Sequence, residues 1–140
     1  MTDTARIQTV IRRELRTLLQ YAPQADLYSP PADRPFLVTL ASIAAAERRQ
    51  IDELEAWLLQ QHRSLPVLGA FPLVFSHYHF VTVRSFVPHL IAAQRADCAQ
   101  LATDVAAVTE PNLCERLDCF LQLKHGHLEL LEKFAAPAPK

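Results

Sequence analysis

Proline does most to limit how this chain can fold. Its ten prolines fall mainly between stretches of helical period, and proline inside a helix removes a hydrogen bond and crowds the preceding turn. Pro23, Pro30, Pro31 and Pro35 bracket APQADLYSPPADRP, and Pro66 and Pro72 with Gly69 mark RSLPVLGAFP, both loops by their breaker content. Pro111 follows Thr109 and Glu110 and opens a helix where its missing N–H costs nothing. The closing AAPAPK is expected to fray. Four long segments remain, near 3–22, 36–62, 73–108 and 111–134, and they are read as one domain over residues 1–140.

Each segment carries a helical stripe. The first places Ile7, Ile11, Leu15, Leu18 and Ala22 on one side, and the second Leu40, Ile43, Ala44, Ile51, Leu54, Trp57 and Leu58. The last uses Leu113, Leu117, Phe120, Leu121, Leu128, Leu131 and Phe134. The third opens on LVFSHYHFVTVRSF, rich in aromatic and β-branched residues, with Pro88 expected to kink it; alanine-rich QRADCAQLATDVAAV continues the helical spacing. The expected fold is all-α, an antiparallel four-helix bundle.

The remaining composition narrows function by exclusion. A net charge of -1 and a pI near 6.6 lack the basic stripe of a nucleic-acid binder. Two glycines cannot build a phosphate-cradling loop. Cys98, Cys114 and Cys119 form no C-x-x-C pair, are read as small helical hydrophobes, and suit a reducing compartment. MTDTARIQTVIRREL is charged where a signal peptide is apolar, and no run approaches the ~20 apolar residues of a membrane span. A cytoplasmic protein with no nucleic-acid or membrane partner is expected.

Polar residues break every stripe near its middle. The series are Ile7, Ile11, Glu14, Leu18, Tyr21; Ile43, Glu47, Gln50, Leu54, Trp57; Phe86, His89, Ala93, Ala96; and Leu117, Phe120, Lys124, His127, Leu131. Buried ionisable groups must find partners or a metal. An antiparallel bundle stacks these interruptions at one level, which predicts a shared polar centre of Glu14, Glu47, Gln50, His89, Lys124 and His127. His77 and His79 read as loop-edge residues, His62 lies at a helix C-terminus, and His125 points off the stripe. Apolar surplus at Val74, Phe75, Tyr78, Phe80 and Val81 is expected to cover a homodimer contact.

The runs IRRELRTLLQYAPQA, AAERRQIDELEAWLLQQHRSLP and LKHGHLELLEKF resemble the first, second and last helices of ferritin-like proteins of the bacterioferritin and rubrerythrin kind. That resemblance implies a bundle with one long crossover between the second and third helices. It also implies a site where four glutamates and two histidines hold two iron ions. Glu14 and Glu47 match two of those glutamates and His127 one histidine. Gln50 stands in place of the other histidine, His89 in place of the third helix's glutamate, and Lys124 in place of the bridging glutamate.

An ammonium in the bridging position repels metal and offsets one of the two carboxylate charges by itself. The expected protein is therefore a non-catalytic binding or assembly module with no cofactor. The alternative is a mononuclear iron or zinc protein, or an oxidoreductase, using Glu47, His89 and His127 with Glu14 nearby; two histidines and a carboxylate suit either ion.

Overall fold

In a computed structural model describing residues 1–136, the chain is helical throughout, with no strand among the described residues. The elements are α1 (Asp3–Glu14), α2 (Leu18–Tyr21), α3 (Arg34–Gln60), α4 (Val83–Ala107) and α5 (Pro111–Ala135). Short 3-10 turns occupy Ala22–Gln24, Pro31–Asp33 and Leu73–Tyr78. Residues 137–140, in the tail expected to fray, lie outside the described residues. No helix among the described residues is long and apolar enough to cross a membrane.

Two expected helices begin or break elsewhere. The first segment is not one helix: Thr17 turns extended and accepts a hydrogen bond from the Gln20 N–H at 3.3 Å, so α2 starts afresh behind Glu14. The third starts at Val83 instead of 73, because Thr82 is the N-cap and accepts from Ser85 N–H at 3.1 Å. The aromatic stretch before it forms a 3-10 helix over Leu73–Tyr78, and Phe80 then takes a positive φ of 62° before the Thr82 cap. Pro88 sits in the second turn of α4, and the Arg84 carbonyl it leaves without a helical donor belongs to an exposed residue that water can serve. At the end of α3, His62 takes φ 56° and closes the helix, with Arg63 N donating to Leu58 O at 2.9 Å and His62 N to Leu59 O at 3.0 Å. That is the double bond pattern usually completed by glycine.

Contacts between helix ends give their directions. Asp3, at the start of α1, accepts from the Thr109 and Glu110 N–H groups beyond the end of α4. Gln8, also early in α1, donates to Ser64 O just past the end of α3 at 2.8 Å. Helices α3 and α4 therefore both run against α1, and α5 returns alongside it. Two parallel helices in succession require a connection as long as a helix, and residues 61–82 supply it. Its first part is a strap along α1: Gln8, Arg12 and Arg16, one turn apart, hold the carbonyls of Ser64, Val67 and Ala70. Because the strap binds by its backbone, Val67 and Leu68 remain 86% and 54% exposed.

The far end of the strap is closed by aromatic contacts. Tyr21 hydrogen-bonds His79 and packs against Phe71 and Phe75 at 5.2 and 5.4 Å between ring centroids. An isolated bridge between Tyr28 and Thr82 ties the first proline-rich loop to the start of α4. Arg84 clamps Asp33 with two hydrogen bonds of 3.1 and 3.0 Å and lies 3.9 Å over the Phe134 ring, joining the ends of three helices. Of the residues expected at a dimer contact, Phe75, Tyr78 and Val81 pack partly onto this chain's own core, while Val74 and Phe80 stay exposed.

The apolar interior is two clusters rather than one. The first gathers Ile7, Ile11, Ile51, Leu54, Leu101 and Leu117. The second gathers Leu18, Ile43, Phe86, Leu90 and Leu131. A polar layer separates the two: α3 crosses it at Glu47, α4 at Gln94 and α5 at Lys124 with His127, while Glu14 ends α1 at that level before α2 enters the second cluster.

Candidate buried charge centre

Lys124 is the hub of that polar layer. Its side chain is 0% exposed, and Nζ lies 2.7 Å from Glu47 Oε1 and 2.9 Å from Glu14 Oε2. The contact to Glu47 is an aligned hydrogen bond; that to Glu14 is an ion pair without hydrogen-bond alignment. Glu47 also accepts from Gln94 Nε2 at 2.8 Å and from His127 Nδ1 at 2.7 Å, both on Oε2. Because an ionised carboxylate only accepts, His127 presents Nδ1–H to it. Glu14 Oε1 faces Arg13 Nη2 at 3.4 Å.

The charges continue outward in alternation. Arg13 Nη2 pairs with Asp104 Oδ2 at 2.7 Å, and Arg6 Nη1 with Asp104 Oδ1 at 3.1 Å. The series Arg6, Asp104, Arg13, Glu14, Lys124, Glu47 thus crosses the interior with opposite charges adjacent. Burial alone would raise the Glu47 carboxyl, but the His127 hydrogen bond, the Lys124 charge and the Gln94 amide together hold it below the ordinary range. Burial would likewise lower the Lys124 ammonium, and the charges of Glu14, Glu47 and Asp97 raise it instead. Lys124 and Glu47 are therefore ionised at neutral pH.

Four of the six residues expected in the centre meet there: Glu14, Glu47, Lys124 and His127. Gln50 does not. It is half-buried at the flank of α3, lining an open groove with Trp57 and Glu53, because the inward stripe runs through Ile51. His89 does not either. It is exposed, with its ring 5.3 Å from that of Tyr78. The α4 stripe lies one residue further along than Phe86, His89, Ala93 and Ala96 suggest; Val87, Leu90, Gln94 and Cys98 face inward, and a one-residue error rotates a helix by about 100°. Glu47, His89 and His127 consequently do not form a shared ligand set. No group of three His, Cys, Asp or Glu side chains among the described residues is placed to hold a metal ion. The Lys124 ammonium lies between Glu14 and Glu47.

Gln94, Asp97, Asp104, Arg13 and Arg6 escaped the sequence reading. Gln94 and Asp97 lie three apart in the run QRAD, a spacing that marks one helix face once the register is right. Cys98, beside them, is buried, and its thiol is pushed up by that burial; Cys119, by contrast, is exposed.

Asp97 is the uncompensated member. Burial pushes its carboxyl up to about 6; the Lys124 charge pulls it down, Glu14 and Glu47 push it up, and Arg13 pulls it down. An acid with a raised folded pKa holds its proton more tightly when folded, so its ionisation opposes folding. The penalty is absent below the ordinary value of 3.8, grows through about 6 and is complete above it. Replacing Asp97 by Asn is expected to stabilise the protein by ~1–3 kcal/mol near pH 8 and to have no effect near pH 4. Urea unfolding at the two pH values checks this, and equal effects at both would remove the assignment.

No protein-family model, no curated protein and no solved structure matches this chain.

Proposed function

We propose that this chain is a divergent ferritin-like four-helix bundle that has lost di-iron chemistry and serves as a non-catalytic binding or assembly module. The observation that carries this reading is the fully buried Lys124 ammonium, paired with Glu14 and Glu47 where a metal bridge would need a carboxylate. The parallel run of α3 and α4 joined by a helix-length connection supports the kinship, since a long crossover is the feature that sets ferritin-like bundles apart from simple up-down ones. In this reading the polar layer sets the register of the helices, a role attested for buried polar groups in helical assemblies. The protein is cytoplasmic and homodimeric, associating through the exposed Val74 and Phe80, with no nucleic-acid or membrane partner.

Metal loading tests the reading. Protein incubated with iron(II) or zinc and then desalted is expected to retain no stoichiometric ion by elemental analysis. Lys124→Glu, which returns the bridging carboxylate beside His127, is expected to gain affinity for divalent ions. A stoichiometric ion held by the unaltered protein and lost in Glu47→Gln would reject the proposal. Light scattering on the same preparation is expected to report a dimer, and a monomer at micromolar concentration would remove that part.

A further inference from the structure

A second polar feature lies outside the buried charges. Between α1, α2, α3 and the strap is a cavity of about 260 Å³ whose charged lining residues are Arg16 and Arg48. No carboxylate lines it. Arg16 donates Nε to Ala70 O at 2.8 Å, and Arg48 donates Nε to Asp52 Oδ1 at 3.0 Å. Each guanidinium therefore has one N–H anchored, which orients its plane and leaves its Nη groups for another acceptor. The nearest buried acids, Glu14 and Glu47, are already engaged by Lys124 on the inner side of their helices.

Asp52 offsets part of the Arg48 charge, while Arg16 has no acidic partner among the described residues, so an anion between the two guanidiniums meets a charge that the protein leaves open. Arginine forks match the two oxygens of a carboxylate better than a spherical ion. Gln20 and Gln24 add carboxamides to the rim; Gln20 Nε2 is bound to Ala44 O at 2.8 Å, so its carbonyl oxygen is left as an acceptor. The rest of the wall is apolar: Leu15 is buried, Phe71 is half-buried against Tyr21, and Leu68 is 54% exposed. An arginine pair backed by leucine and phenylalanine fits a ligand with a charged head and an apolar body. The volume, below the ~300 Å³ at which drug-sized sites begin, limits that body to roughly one ring or a short chain.

We propose that this cavity is a binding site for a small amphipathic carboxylate, its head bridging Arg16 and Arg48 and its body lying against Leu15, Leu68 and Phe71. Leu68, Gly69 and Phe71 come from the strap, so the site is complete only while Gln8, Arg12 and Arg16 hold the strap on α1. This site is independent of whether the buried centre holds a metal.

Titration calorimetry of the full chain with benzoate tests it. Benzoate is expected to bind saturably at one site, and neutral benzamide not to bind. Arg48→Gln is expected to weaken benzoate about tenfold or more, the loss typical of a charge-assisted contact. Arg48 is exposed and its hydrogen bond goes to exposed Asp52, so this variant keeps the helical circular dichroism of the parent. Arg16→Gln is expected to weaken binding as much or further, since it also frees Ala70. No saturation by ~20 mM benzoate, or an affinity equal to the parent's in both arginine variants, would overturn the proposal. Benzamide binding as well as benzoate would overturn the role of the arginines, and inorganic phosphate binding as well as benzoate would overturn that of the apolar wall.

Discussion

Replacing Lys124 by methionine is expected to destabilise the fold by about 3–5 kcal/mol at neutral pH, the cost of breaking a buried ion pair from one side. Methionine keeps the length of the lysine stem, so packing changes little and the loss is electrostatic. What remains is Glu14 and Glu47, each about 1% exposed, facing one another without their shared cation. Arg13 still reaches Glu14, and Gln94 and His127 still reach Glu47, but none of them lies between the two carboxylates. For a domain of this size the loss corresponds to a fall in Tm on the order of 10–20 °C.

The sign of its pH dependence separates this mechanism from a packing defect. Without Lys124 the two ionised carboxylates repel, and that repulsion is relieved as the pair takes up a proton. The penalty is largest while both are ionised, and the variant is expected to recover part of its stability as pH falls from about 8 to about 5. The parent protein moves the other way at lower pH. Its Glu47 carboxyl is held below 4.5, so that stability is present at neutral pH and is lost as pH falls through the lowered value. A neutral Lys124→Met effect at pH 8, or one independent of pH, would defeat the assignment.

The sequence showed more of this centre than of the fold around it. Glu14 and Lys124 each interrupt an apolar stripe, and either alone reads as well at the rim with its stem over apolar surface; it is the recurrence of such breaks in all four segments that points inward. Glu47 and His127 follow at helical spacing. In α4 the apolar residues do not fall on one stripe near its start: Phe86, Val87, Leu90 and Ile91 are all buried. That crowding let a register one residue early pass, and it carried His89 inward in place of Gln94. Only tertiary contacts decide between two such registers.

The strap was illegible for a different reason. Its hydrogen bonds run from Gln8, Arg12 and Arg16 to backbone carbonyls, and carbonyls carry no sequence identity. The three donors read simply as the polar face of an amphipathic helix. The arginine-lined cavity was hidden with them, since Arg16 and Arg48 lie far apart in the chain and come together only through the packing of α1 on α3.

Glu47 is the other single point of failure, and its replacement shows whether the polar layer supplies stability or register. Glu47→Leu removes the acceptor of three charge-assisted or amide hydrogen bonds at once, from Lys124, Gln94 and His127. Lys124 keeps Glu14 alone, and the Gln94 amide, whose Oε1 already has no partner, keeps only its 3.5 Å bond to the Lys124 carbonyl. A cost of about 3–5 kcal/mol is expected. The triple replacement Glu14→Leu, Glu47→Leu and Lys124→Met behaves differently, because it removes all three members of the buried ion triad together, leaving Gln94 and His127 as the polar side chains between the two apolar clusters. Buried ion pairs exchanged for packed hydrophobic residues are often neutral or stabilising by about 1–4 kcal/mol. The triple variant is therefore expected to unfold at or above the parent's urea midpoint, while Glu47→Leu alone falls well below it. If the layer sets register, the triple variant will also show broadened methyl resonances, since the apolar stripes of α1 and α3, then unbroken, permit neighbouring helix alignments. A triple variant as unstable as the single one would show that the charges contribute net stability, and sharp resonances in a stable triple variant would show that the apolar residues alone select the alignment.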